Sequence, residues 1–112
     1  MPLKPDVITS LASDLFEAER TRTQIPIITE QHPQMDMDDA YAIQAELVKH
    51  KQQNGNAIKG WKIGLTSKAM QAALNIDIPD SGILFEDMFF DKGATIPADR
   101  FIQTRIEAEI AF

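Results

Sequence analysis

An α+β fold is predicted by three features of this 112-residue sequence. An apolar stripe at helical spacing runs from Pro5 to Arg22. A second runs from Asp36 to Asn54 and stops at Gly55. Beyond Gly55 the helical period gives way to short apolar runs separated by glycine and proline turns. The expected architecture is therefore N-terminal helices followed by short mixed β-strands.

In the first stretch Ile8, Leu11, Ala12, Leu15 and Phe16 make one apolar face. Pro5 suits a first helical turn, Asp6 complements the helix dipole there, and Arg20 and Arg22 do so at the other end. Pro26 and Pro33 mark a loop. Asp36 is the expected N-cap of the second helix, with Asp38 and Asp39 in its first turn. Ala40, Ile43, Leu47 and Val48 form its buried stripe, and Asn54-Gly55 ends it because glycine tolerates the left-handed cap.

Ala57–Leu65 reads as a strand. Thr66 or Ser67 can cap a short helix reaching Leu74. Pro79-Asp80-Ser81-Gly82 reads as a turn. Ile83–Phe90 is an apolar strand or loop, Asp91-Lys92-Gly93 is a second turn, and Ala94–Pro97 reads as a short strand. Arg105–Phe112 reads as the final strand, with Ile106, Ala108, Ile110 and Phe112 on the face to be buried. A chain ending on such a residue is expected to be part of something longer. The length predicts a single domain over residues 1–112.

Composition narrows the function. The formal net charge is −6, from 11 Lys and Arg against 17 Asp and Glu. An acidic surface repels phosphate backbones, so no nucleic-acid partner is expected. No apolar run reaches the length of a membrane span, and the N-terminus lacks the core of a signal peptide, so a cytoplasmic location is expected. The absence of cysteine excludes disulfides, thiolate metal sites and cysteine nucleophiles. With only His32 and His50 available, a three-histidine metal site within one chain is excluded; both histidines read as structural or solvated.

Four residues are candidates for chemistry. On a strand, Glu107 and Glu109 share a face with Cα atoms roughly 6.5 Å apart, a spacing at which two carboxylates can converge on a hard cation. Arg105 joins them there. The same alternation occurs on solvent-facing strand edges, and spacing alone does not choose between the two. Lys62 lies between Gly60 and Gly64 on one strand face, over space that those residues leave open. Such a lysine can hold a substrate carboxylate or exchange protons, although the pattern alone favours a solvated lysine with Trp61 and Ile63 as the buried side. Asp80 reads as capping its own turn unless something else recruits it. Phe85, Met88, Phe89 and Phe90 read as core or subunit contact.

Taken together, the segments GWKIGLTSKAMQ (60–71), PDSGILFEDMFF (79–90) and FIQTRIEAEIAF (101–112), with the helix DDAYAIQAELVKHK, resemble the 2-oxo acid hydratases of aromatic degradation. These belong to the fumarylacetoacetate hydrolase superfamily. The resemblance covers nearly the whole chain and implies the N-terminal part of that fold. It implies that Glu107 and Glu109 are two of three carboxylate ligands for Mg²⁺, or Mn²⁺, with the third beyond Phe112. Lys62 matches the family's active-site lysine, and Asp80 its Pro-Asp-x-Gly aspartate. The implied reaction is addition of water to an unsaturated 2-oxo acid, such as 2-oxo-hept-4-ene-1,7-dioate, by a homo-oligomer. A 4-oxalocrotonate-type decarboxylase, and a truncated chain inactive for want of its third ligand, are the competing expectations.

Overall fold

The computed structural model describes residues 2–112. Seven elements follow in order: α1 (Pro5–Thr21), α2 (Ile28–Gln31), α3 (Met37–Gln53), β1 (Ile58–Gly64), α4 (Lys68–Ala73), β2 (Asp80–Phe85) and a single 3-10 turn (Glu86–Met88). Helices followed by a small sheet is the predicted α+β class. The chain packs as two compact units, one formed by residues up to Leu47 together with Gly93–Phe112, the other by Val48–Lys92.

The first unit is built on the helical stripes. Leu11 and Ala12 of α1 are buried with Ile43 of α3 and with Leu3, and Val7, Ile8, Leu15 and Leu47 pack against them. Each large aliphatic side chain taken out of water here contributes on the order of 1.5–3 kcal/mol. Pro5 opens α1 as expected, and Arg22 closes it in the left-handed region at φ 53°. On the exposed surface of α1 the Arg20 guanidinium bonds the Glu17 carboxylate at 2.6 Å, and this hydrogen bond holds the Glu17 carboxyl below its ordinary pKa.

Entry into α3 is a reciprocal cap. The Asp39 N–H donates to Asp36 Oδ1 at 2.9 Å, and the Asp36 N–H donates to Asp39 Oδ2 at 3.3 Å. Asp39 is itself buried, and its Oδ1 accepts the Leu3 N–H at 2.9 Å. One carboxylate thus caps a helix and anchors the N-terminal segment across the unit. The short helix α2 lies in the stretch read from its prolines as a loop; its single turn closes with the His32 N–H donating to Ile28 O at 2.9 Å.

In the second unit β1 and β2 form a two-stranded antiparallel sheet. The register pairs Trp61 with Ile83, Lys62 with Gly82, Ile63 with Ser81 and Gly64 with Asp80, with an irregularity between Ile58 and Gly60. Lys59, in that bulge, stands 4.5 Å over the Phe89 ring. Phe85 and Lys51 are buried, with the Lys51 ammonium 4.9 Å from the Phe85 ring centroid. Phe89 and Phe90, read as core or contact residues, are exposed.

Three sequence expectations are corrected. Pro79–Gly82 is not a free-standing turn, because Asp80, Ser81 and Gly82 are already paired with β1. Ala94–Pro97 forms no strand. Arg105–Phe112 also carries no regular structure, so Glu107 and Glu109 do not stand on a β-strand; Ile106, Ile110 and Phe112 are fully exposed rather than buried. A strand is stabilised by the ladder it forms with a neighbour. Among the described residues neither segment has one.

Candidate functional site

The antiparallel register brings Lys62 and Asp80 onto one face. Residues opposite each other in a ladder point the same way, and residues two apart along a strand do too. Lys62 opposite Gly82, and Gly64 opposite Asp80, therefore place the lysine and the carboxylate as diagonal neighbours. Such neighbours lie roughly 7–8 Å apart at Cα, within reach of a long side chain. Gly60, Gly64 and Gly82 are the nearest positions to Lys62 on this face, and none of them carries a side chain. A Cβ added at Gly60 or Gly82 would meet nothing within 4 Å.

Gly64 is different. A Cβ there would overlap Oδ1 of Asp80, so this glycine makes the room that the Asp80 carboxylate occupies. A lysine ammonium and a carboxylate on one sheet face can together bind an anionic substrate group and move a proton beside it. The opposite face carries Trp61 and Ile63, which are 66% and 54% exposed rather than the buried side of the strand.

The sequence reading passed over Gln71. It is the only buried residue of α4, at 4% exposure. Its Nε2 donates to the Leu65 carbonyl at 2.6 Å, and its own backbone carbonyl accepts the Ile76 N–H at 2.8 Å. Leu65 follows directly on β1 and takes a left-handed conformation, φ 52°. In the sequence it is only one polar residue of a short helix; the structure shows the other five residues of that helix exposed. Ser67 caps that helix as expected, its Oγ accepting the Met70 N–H at 3.4 Å.

The two glutamates are exposed, and Glu107 lines a shallow hollow of about 330 Å³ with Phe101, Gln103, Thr104 and Arg105. Their carboxylate oxygens are hard donors and suit Mg²⁺ or Mn²⁺ in kind. In number they are incomplete: no group of three or more His, Asp or Glu that could hold a metal ion occurs among the described residues.

Comparison with known proteins defines the class. No family model matches the chain. It is 52% identical over 104 residues to the 2-oxo-hept-4-ene-1,7-dioate hydratase of Escherichia coli, covering 93% of this chain and 39% of that enzyme. It is 38% identical over 110 residues to the 2-keto-4-pentenoate hydratase of Paraburkholderia xenovorans strain LB400, covering 98% of this chain and 41% of that enzyme. The structure of 4-oxalocrotonate decarboxylase from Pseudomonas putida G7, complexed with calcium and acetate, aligns with a TM-score of 0.74 at 34% identity; 76% of this chain and 33% of that one are covered. The same decarboxylase is known complexed with magnesium and adipate.

By sequence and by fold, the chain matches the N-terminal part of the hydratase and decarboxylase enzymes of the fumarylacetoacetate hydrolase superfamily. Within that class its similarity is to the 2-oxo-hept-4-ene-1,7-dioate and 2-keto-4-pentenoate hydratases. The chain spans about two fifths of the length of these curated relatives. No helix is long and apolar enough to cross a membrane among the described residues.

Proposed function

We propose that this chain is the N-terminal part of a cytoplasmic, homo-oligomeric hydro-lyase that hydrates 2-oxo-hept-4-ene-1,7-dioate to 4-hydroxy-2-oxoheptanedioate in 4-hydroxyphenylacetate breakdown. The observation that carries the reading is the placement of Lys62 and Asp80 on one glycine-lined sheet face. The 52% identity to a hydratase named for this substrate supports it.

The substrate is a dianionic 2-oxo acid with an isolated double bond between C4 and C5. Lys62 holds an anionic oxygen of the substrate by charge and hydrogen bonding. Asp80, beside it, takes a proton from C3 as a proton is delivered to C5, which moves the double bond into conjugation with the ketone. Water then divides across the new double bond: its hydroxyl joins C4 and a proton returns to C3. The product carries one water more than the substrate, with no oxidation or reduction. Glu107 and Glu109 are the residues that would hold the divalent cation, Mg²⁺ or Mn²⁺, which when bound supplies Lewis acidity toward the substrate's carboxylate and 2-oxo oxygens.

The structural relative that is a decarboxylase motivates one alternative, loss of CO₂ from 4-oxalocrotonate. The test is to assay the complete enzyme with both substrates and to repeat the assay with Lys62→Ala. Hydration by the parent enzyme, with kcat reduced at least ~100-fold in a folded Lys62→Ala variant, is the expected result. Preferential CO₂ release would overturn the hydratase assignment, and parental activity in Lys62→Ala would remove the lysine from the mechanism.

A further inference from the structure

We propose that Gln71 is a positioning residue for the Lys62–Asp80 face, acting through the Leu65 carbonyl. The inference rests on the functional reading given above. Helix α4 exposes all of its residues except Gln71, and that residue is an amide. Buried polar side chains are retained where they satisfy particular partners.

Those partners lie on either side of α4, within the connection between β1 and β2. The Gln71 side chain holds Leu65, the first residue beyond β1, and its backbone carbonyl holds the Ile76 N–H on the way to β2. Leu65 needs such a partner. A leucine at φ 52° has its Cβ crowded against its own backbone, and the conformation persists only where surrounding structure fixes it. The amide donor supplies that restraint at 2.6 Å. Leu65 is also joined directly to Gly64, the residue opposite Asp80. Release of Leu65 frees the end of β1 at which the lysine strand faces the aspartate.

The experiment compares Gln71→Ala, Gln71→Glu and the double variant Gln71→Ala with Leu65→Gly, in the complete enzyme, with Lys62→Ala alongside. Gln71→Ala is expected to lower kcat by about tenfold or more while KM stays within about twofold, as a misplaced catalytic pair does. Glutamate is isosteric with glutamine but donates a hydrogen bond only when protonated. The kcat of Gln71→Glu relative to the parent should therefore rise as pH falls. Adding Leu65→Gly to Gln71→Ala should recover part of the loss, because glycine enters the left-handed region without a Cβ penalty.

A folded Gln71→Ala with parental kcat, or a Gln71→Glu ratio that is flat with pH, would overturn the proposal. If Gln71→Ala fails to fold, the pH profile of Gln71→Glu decides alone. Parental activity in Lys62→Ala would instead sink the functional reading. The positioning claim would then be decided by amide exchange over Trp61–Gly64: faster exchange in the Gln71 variants upholds it, and unchanged exchange overturns it.

Discussion

Substituting Gly64 by alanine separates the stability of the ribbon from the placement of its carboxylate. The added methyl overlaps Asp80 Oδ1, with Asp80 Cγ at 3.4 Å, so the carboxylate has to move while the backbone need not. To reach ordinary contact the oxygen retreats by roughly an ångström or more. Turning an aspartate side chain off its preferred rotamer costs about 0.5–1.5 kcal/mol. Replacing a strand glycine by alanine returns about 0.5–1 kcal/mol through the unfolded chain. The two nearly cancel, so Tm should move by no more than about 5 °C. Displacing a proton-transfer group by that distance should lower kcat by ~10–100-fold. The assay is steady-state kinetics and thermal unfolding of the complete enzyme, with Gly60→Ala as the stability control because its methyl enters open space. A Gly64→Ala variant with unchanged Tm and kcat within twofold of the parent would refute the role given to Asp80. A collapse in Tm would refute the claim that side-chain rotation relieves the overlap.

Two further outcomes are expected. Asp39→Ala leaves the Leu3 N–H and the Asp36 N–H without their shared acceptor, and should destabilise the protein by about 2–3 kcal/mol in denaturant unfolding, more than Asp38→Ala at its exposed neighbour. Glu107→Gln and Glu109→Gln, each made in the complete enzyme, should weaken Mg²⁺ binding at least ~10-fold by calorimetry without changing the far-ultraviolet spectrum, since both side chains are exposed; unaltered affinity would remove them as ligands.

Elements governed by local physics were legible in the sequence. The two long helices announced themselves through apolar period, Pro5, Asp36 and Gly55, and fell within a residue or two of their expected limits. β1 was readable from its own residues. Its partner was not, because Pro79-Asp80-Ser81-Gly82 has the composition of a turn and only pairing with β1 overrides that preference. The candidacy of Lys62 is legible in its flanking glycines, whereas Gly82 opposite it, and Asp80 beside it, depend on a register that no local pattern encodes. The alternation from Arg105 to Phe112 was read correctly as a pattern and wrongly as a structure, since a period of two becomes a strand only beside another strand. Gln71 stood inside a recognised segment yet drew no attention, because its partner is a backbone carbonyl.

The uncovered back of the ribbon has a practical use. Trp61 is the only tryptophan of the chain and sits on the face opposite Lys62, two-thirds exposed to solvent. Its emission therefore reports on one surface alone. A blue shift on mixing with another polypeptide would mark the moment that surface is covered, while the Lys62 side of the same two strands remains free to be titrated or assayed in the same cuvette.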